Sequence, residues 1–236
     1  MPTTAKLHRI RRALRRYGVK GSAQEAAALV RNAPARRRAQ RADQAFDRQL
    51  GVETSGIVRL HELAFESENK EHGARYQATS PEAFGDIMDK LDLGERELTF
   101  IDIGSGKGRA LLLASRLPFR RLVGVEFSPE LTATAERNVA SWRARTPGCP
   151  EIELLCQDAT AYAFPDEPLL VYLYNPFEEP VMLEVLANLR ASLEHSPRRV
   201  LLVLIKRVVS LEALARVGFV PSTAPGAPGE LFLPAA

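Results

Sequence analysis

Polar side chains stand at the ends of four apolar stretches of this 236-residue sequence. Each stretch has the length and composition of a buried strand. Because the carboxyl ends of parallel strands meet at one edge of a sheet, polar residues there can converge on a single ligand. The four positions are Asp102, Glu126, Asp158 and Asn175.

The first apolar stretch, residues 98–103, runs into a glycine-rich turn. Gly104, Gly106 and Gly108 follow it at alternate positions, with Ser105 inside the turn, and a helix is predicted to begin directly after them. A strand that breaks into glycines and restarts as a helix presents bare backbone and a helix N-terminus to a ligand. A glycine turn without any ligand is the alternative.

Three kinds of ligand are bound by turns of this type. A dinucleotide fingerprint requires a third glycine where the sequence has Arg109. A P-loop requires Ser or Thr after Lys107, and a first glycine where Ile101 stands. The remaining pattern, acid-x-Gly-x-Gly-x-Gly, fits from Asp102 to Gly108.

This pattern resembles motif I of the class I S-adenosylmethionine-dependent methyltransferases. Glu126 ends a second apolar stretch about 20 residues after the glycines, where nucleotide-binding α/β units place the acid for the ribose hydroxyls. It matches motif II of the same class. The resemblance implies a cofactor site in which the glycine turn holds the amino-acid end and Glu126 holds the ribose. The residues assigned to it in this part of the chain are Asp102, Gly104, Ser105, Gly106, Gly108, Glu126 and Phe127.

A third strand is expected over residues 151–156, followed by Asp158 and Ala159. An acid at this place resembles motif III, which implies a bond from the adenine amino group to Asp158. A carboxylate can accept that N–H, and the neighbouring backbone N–H can reach a ring nitrogen.

The fourth strand, residues 168–174, ends in Asn175, Pro176 and Phe177. This turn resembles motif IV of amino-directed methyltransferases, (Asp/Asn)-Pro-Pro-(Phe/Tyr), with one proline missing. The resemblance makes these three residues the catalytic group, with the Asn175 amide oxygen on the acceptor nitrogen and Asn175 also beside the cofactor. Tyr174 and Phe177 would form an aromatic mouth. A proline turn without a catalytic role is the alternative.

A segment before the glycine turn is the expected cover of the site. Ser80, Pro81 and Glu82 are typical of a helix start, and this helix should run to about residue 91. Class I enzymes often close over the methionine end of the cofactor just before such a helix. We therefore expect cofactor contacts here. The alternative is that these residues form only a turn before the helix, since such a turn would have the same residue types. The residues are Tyr76, Gln77 and Thr79.

Strands and helices alternate through the rest of the chain, which predicts an α/β protein with a mainly parallel sheet. The class I resemblance makes this a Rossmann-like fold with seven strands, helices on both faces, and one antiparallel strand inserted by a C-terminal hairpin. The last expected strands lie near residues 219–220 and 231–233.

Charge is distributed unevenly along the chain. The net charge is +3, yet residues 1–48 hold 13 of the 32 basic and three of the 29 acidic residues. Helices are expected over 5–17 and 23–32. This basic arm suits an acidic partner, which could be a protein, RNA or an anionic membrane surface; a solvated arm and a transit peptide are alternatives.

We expect an arm over 1–48, partly flexible, a helical connector and cofactor lid over 49–95, and a catalytic domain over 96–236.

Within the class, the Tyr-Gln-x-Thr segment and the fourth motif resemble protein-lysine methyltransferases, both the disruptor-of-telomeric-silencing histone type and small bacterial and mitochondrial relatives. The expected activity is methyl transfer to a protein lysine, with S-adenosyl-L-homocysteine as product. RNA or small-molecule methylation and a non-catalytic scaffold are the alternatives.

Two cysteines and four histidines show no ligand spacing, so no metal is expected. The chain is expected to be cytoplasmic and, by default, monomeric.

Overall fold

The computed structural model of the chain describes residues 33–58, 76–95, 97–224, 226 and 229–235. The helices expected over 5–17 and 23–32 lie outside these residues. By compactness the chain divides into two units, Met1–Ala45 and Phe46–Ala236. The cleft described below belongs to the second unit.

Helix α1 (Ala33–Leu50) supplies the described part of the first unit and continues into the second. Three arginines of its first-unit part, Arg37, Arg38 and Arg41, are exposed. The arm boundary placed at residue 48 falls inside this helix. The helix does not stop there because Leu50 still packs, half-buried, on the core of the second unit.

The described residues after α1 contain a short strand pair and a helix, and the predicted division into a connector and lid over 49–95 stays a prediction. Strand β1 (Ile57–Val58) pairs antiparallel with β2 (Tyr76–Gln77), with Val58 opposite Tyr76. Only α2 (Pro81–Met88) is helical in the described residues between Gly51 and Glu95. Two-residue strands are too short to leave an alternating pattern in a sequence, so periodicity could not reveal them.

A seven-stranded sheet forms the centre of the second unit, in the order β5–β4–β3–β6–β7–β9–β8. Strands β3 to β7 are parallel, and β9 runs antiparallel between β7 and β8. This arrangement confirms the predicted class I fold. The strands are β3 (Thr99–Ile103), β4 (Leu122–Glu126), β5 (Ile152–Cys156), β6 (Leu169–Tyr174), β7 (Val200–Ile205), β8 (Phe219–Pro221) and β9 (Leu231–Pro234).

Helices cover both faces of this sheet, which explains why its central strands are apolar almost throughout. Along β3, Ile101 and Ile103 belong to one apolar cluster, whereas Phe100 belongs to the other. The helix start that the sequence predicted at Ser80 is capped as expected, and Ser128 caps its helix in the same way, because each serine accepts an N–H of the helix that follows. The remaining helices are α3 (Arg109–Ala114), α4 (Pro129–Arg143), α5 (Glu179–His195) and α6 (Leu211–Arg216), with a 3₁₀ turn at Ala159–Ala161.

Within the described ranges, no helix combines the length and apolar character that crossing a membrane requires.

Candidate functional site

A cleft of about 580 Å³ opens at the carboxyl ends of β3, β4 and β6. The chain proceeds from β3 to β4 on one side and returns to β6 on the other, so the cleft lies at a switch point of the sheet order. Open α/β sheets place their ligands there. Eleven of the predicted site residues line it: Tyr76, Gln77, Thr79, Asp102, Gly104, Ser105, Glu126, Phe127, Asn175, Pro176 and Phe177.

Two predicted glycines are not among the residues that line the cleft, and packing explains their positions. Gly106 lies under the ring of Tyr76, so that a Cβ at this position would overlap the ring. Gly108 caps α3 with a φ of +84°, and a Cβ there would lie 3.3 Å from the Cβ of Ala135. The role of both glycines in the structure is close approach of the backbone to neighbouring side chains.

Asp158 and Ala159 are also outside the cleft lining. One carboxylate oxygen of Asp158 accepts the backbone N–H and the hydroxyl of Thr160, at 2.9 and 2.8 Å. This caps the short 3₁₀ turn in which Ala159 is buried. The assignment of both residues to the adenine ring stays a prediction.

Glu126 is held at the end of β4 by backbone donors. Its Oε2 accepts the N–H of Gly106 and its Oε1 that of Ser128, both at 2.9 Å. Burial raises the pKa of Glu126, and these N–H groups oppose the rise. Since a carboxylate has about four lone-pair sites, the side chain can still accept a hydroxyl group beside these backbone donors.

Asp102 lies one strand away and is almost fully buried, with 3% of its surface exposed. Burial, with the neighbouring Glu126 carboxylate adding to it, raises the pKa of Asp102 to about 8. The carboxyl is therefore largely protonated at neutral pH. A cationic group bound beside it would favour the ionised form.

The turn after β6 brings an amide to the cleft. Asn175 has a φ of +45°, an uncommon conformation for a residue other than glycine. Its Oδ1 is buried and accepts no hydrogen bond from the residues that the structure describes. Pro176 lies against Gly104, where any side chain would collide with it. Because a buried acceptor without a partner is destabilising, the turn is suited to a ligand that donates an N–H.

A buried ion pair holds the glycine turn to residues 47–55, which we call the anchoring segment. Arg109 donates from Nε to the Thr54 hydroxyl at 2.6 Å and pairs with Asp47 at 3.2 Å. Asp47 also accepts the backbone N–H groups of Thr54 and Ser55. Burial by itself raises the pKa of Asp47. Its hydrogen bonds and the Arg109 charge outweigh burial and hold this pKa below its ordinary value.

Further contacts extend this attachment to the cleft. Asn138 of α4 donates to the carbonyls of Glu53 and Lys107, and the Lys107 ammonium pairs with Glu53 at 3.0 Å. Tyr76 donates its hydroxyl to the Thr54 carbonyl at 2.5 Å. The ring that covers Gly106 is thus fixed by the anchoring segment.

Sequence reasoning missed this attachment. From the sequence, Asp47 was considered only as one of the three acidic residues of the arm. Arg109 was considered only because it excludes a dinucleotide fingerprint. The two are 62 positions apart, and a single sequence carries no signal that pairs them. Three cleft residues were likewise missed: Arg109, Ala110 and Leu131.

In the part of the chain that the structure describes, no three His, Cys, Asp or Glu side chains come together as a metal site.

Comparison with known proteins identifies the class of domain. Residues 100–196 match the family model described as "Methyltransferase domain". This range begins in β3 and ends just after α5, so it contains the glycine turn, Glu126 and Asn175 but somewhat less than half of the chain. No curated protein gave a significant match to the sequence.

Solved structures resemble the chain at low sequence identity. The YcgJ protein from Bacillus subtilis is 18% identical with a TM-score of 0.39, over 52% of this chain and 50% of that one. The precorrin-6y C5,15-methyltransferase from Geobacter metallireducens is 19% identical with a TM-score of 0.47, over 72% and 83%. The magnesium protoporphyrin IX methyltransferase from Synechocystis is 14% identical with a TM-score of 0.47, over 65% and 77%. The aligned part thus spans about half the length of the Bacillus protein.

Residues 100–196 therefore match a methyltransferase domain, and they lie in a sheet with the strand order of the class I fold, the class that uses S-adenosylmethionine. The cleft fits that cofactor. Glu126 offers a carboxylate for a ribose diol, and Asp102 offers one for an ammonium group.

The contact between Gly106 and Tyr76 predicts the effect of Gly106→Ala. A left-handed backbone costs a residue with a Cβ about 1–2 kcal/mol, and overlap with the ring adds about 1–3 kcal/mol. Gly148→Ala is the matched control, because Gly148 has a φ of +77° and nothing within 4 Å of its added Cβ. In urea unfolding, Gly106→Ala should be less stable than Gly148→Ala. Equal losses would mean that the ring does not press on the turn.

The raised pKa of Asp102 predicts a pH dependence of stability. A carboxyl that titrates near pH 4 when unfolded and at about 8 when folded binds its proton more tightly in the folded state, so its contribution falls as pH rises through this window. Asp102→Asn removes the ionisation. Between pH 5.5 and 8.5 the free energy of unfolding should fall less in Asp102→Asn than in the unaltered chain. If the free energy of unfolding fell equally with pH in both proteins, ionisation of Asp102 would not lower the stability of the fold.

Proposed function

We propose that this chain transfers the methyl group of S-adenosylmethionine to an amino nitrogen, and that the acceptor is the side chain of a protein lysine. The observation that carries the proposal is the buried Oδ1 of Asn175, which accepts no hydrogen bond from the described residues. An acceptor amine would supply the missing N–H.

The described residues suggest how the cofactor would be held. Glu126 would accept the ribose hydroxyls, and Asp102 would face the ammonium group of the amino-acid end. The backbone at Gly104 and the side chains of Tyr76 and Thr79 would enclose that end. When bound, the cofactor supplies a methyl group already activated on a sulfonium. The protein therefore has to align the acceptor with this methyl group and exclude water from the reacting centre, and it does not have to activate the methyl group.

The order of the strands favours the β6 turn as the acceptor side. Glu126 ends β4, which lies on one side of β3, and Asn175 follows β6, which lies on the other. A ligand with its ribose at β4 and its amino-acid end at β3 leaves the β6 end for the acceptor.

Three residues at this end have defined tasks in the proposal. Asn175 Oδ1 would orient the acceptor nitrogen, while the rings of Tyr174 and Phe177 would exclude water around it. Removal of water disfavours the charged form of an amine and lowers its pKa, which helps the acceptor to lose its proton. No general base is assigned, and the proton would pass to solvent.

The choice of lysine among amino acceptors rests on the sequence resemblance to protein-lysine methyltransferases, which the Tyr76–Thr79 segment and the single-proline fourth motif carry. A small-molecule N- or O-methyltransferase and a non-catalytic cofactor-binding scaffold would use the same cleft. The assay that follows separates them.

Asn175→Ala tests the role of the amide. The variant should methylate lysate proteins about 10²-fold more slowly, the usual effect of losing one oriented hydrogen-bonding group. Its calorimetric affinity for S-adenosyl-L-homocysteine should stay within about threefold, since binding uses mainly Asp102 and Glu126. Asn175→Asp, which keeps the acceptor oxygen, should retain more activity than Asn175→Ala. Equal loss of turnover and affinity would refute the assignment.

The labelled products of this assay also decide among the alternatives. Radiolabelled methyl in protein lysine supports the proposal, whereas label in small molecules or RNA contradicts it. Cofactor binding without transfer to any lysate component would indicate the scaffold.

RNA is the second candidate acceptor, and the exposed arginines of α1 favour it. Arg37, Arg38, Arg41 and Arg48 are all exposed along the helix, as a surface that contacts phosphates would be.

Replacing these arginines would therefore weaken binding to RNA in this second function. In a filter-binding series from 50 to 200 mM salt, the unaltered chain should lose about 10³-fold or more in affinity if several phosphates are contacted. A variant with all four exposed α1 arginines replaced by glutamine should bind weakly at every salt concentration. Unchanged binding by that variant would exclude α1 as an RNA contact.

A further inference from the structure

Lys206 stands beside the Asn175 turn at the end of the neighbouring strand. Tyr174 and Ile205 are partners in the β6–β7 register, so Asn175 and Lys206 are the matching residues just after the two strands. Both have a positive φ, +45° and +51°, and they are the only non-glycine residues in the described part of the chain with this conformation. A conformation of this kind in two adjacent turns often marks a functional site.

The Lys206 ammonium lies at the rim of the cleft. Its Nζ is 4.8 Å from the centre of the Tyr174 ring and 3.3 Å from Oε1 of Gln77. Both of these residues line the cleft. An aromatic face and an amide oxygen are the partners expected for a bound amine.

The other described lysines are placed differently. Lys107 is buried and paired with Glu53 at 3.0 Å, so its ammonium is held in an ion pair. Lys90 is exposed beyond the end of α2. Among the described residues the Lys206 ammonium contacts the Tyr174 ring and the Gln77 amide but no carboxylate, so no ion pair holds it away from the cleft.

We propose that Lys206 is a methylation site of this chain's own activity, modified within the same molecule. The inference rests on the methyltransferase function proposed above. The exposed, flexible side chain reaches the cleft rim from β7, on the side where that function places the acceptor nitrogen.

The step is a single displacement with S-adenosylmethionine as the methyl donor. Nζ first loses a proton to water, which its exposed position allows. Its lone pair then forms the bond to the methyl carbon while the bond from that carbon to sulfur breaks, and the electron pair of the broken bond stays on sulfur. The products are methylated Lys206 and S-adenosyl-L-homocysteine.

Mass spectrometry of the purified full chain tests the proposal. The chain is incubated with S-adenosylmethionine carrying a deuterated methyl group and is then cleaved after glutamates, which leaves residues 195–212 with Lys206 as their only lysine. We expect labelled methyl groups on this peptide, together with any unlabelled ones added during expression. Lys206→Arg should abolish this label, whereas Lys90→Arg, the matched control, should leave it unchanged.

The dependence on protein concentration tests whether the reaction is intramolecular. The first-order rate constant should stay the same after tenfold dilution at saturating donor. A rate constant that falls in proportion to dilution would overturn modification within the same molecule.

Calorimetry with S-adenosyl-L-homocysteine separates failure of this inference from failure of the proposed function. Lys206→Arg should bind it within twofold of the unaltered chain, because the side chain is assigned to the acceptor side. Binding without methyl groups on Lys206 would overturn self-methylation and leave the proposed function standing. Absence of binding would overturn the proposed function itself.

Discussion

The buried pair of Arg109 and Asp47 is the constraint on which the rest of the site depends. A guanidinium with 1% of its side chain exposed is tolerated only when its donors are matched, since removing either partner of such a pair strands a charge in the interior. Arg109 is the first residue of the helix that follows the glycine turn. Asp47 is the first residue of the anchoring segment, and Thr54 of the same segment accepts a hydrogen bond from Arg109. The turn therefore has its native shape only when residues far earlier in the chain are in place.

The sequence allows prediction of those features that are local. The glycine turn, Glu126 and Asn175 could be placed because each directly follows an apolar run, and runs of this kind become strands. The orientation of a side chain after the strand is harder to predict even from its neighbours, as Asp158 shows, because Thr160 two positions later takes up one of its oxygens. The partners of Asp47 and the short β1–β2 pair depend on distant segments, for which one sequence holds no pattern.

The cleft is lined by two buried carboxyls. Asp102 and Glu126 lie on adjacent strands, and burial raises the pKa of both. Such an arrangement is unfavourable by itself, as is the buried amide oxygen of Asn175, which has no hydrogen-bond partner among the described residues. A ligand with a cationic amino group, hydroxyls and a nearby N–H donor would relieve all three at once, so the same groups that weaken the fold would strengthen binding.

The insertion of β9 between β7 and β8 has a consequence for how the chain folds. During synthesis β7 emerges well before β9, and until then its outer edge presents unpaired N–H and C=O groups. The central strand β3 likewise waits for β6, whose partner residues lie 70 positions later. Pairings this distant slow folding, so the sheet cannot be completed from one end to the other as the chain leaves the ribosome. The nascent protein spends that interval with an apolar edge exposed, and an unpaired edge of this kind is a template for pairing with another chain.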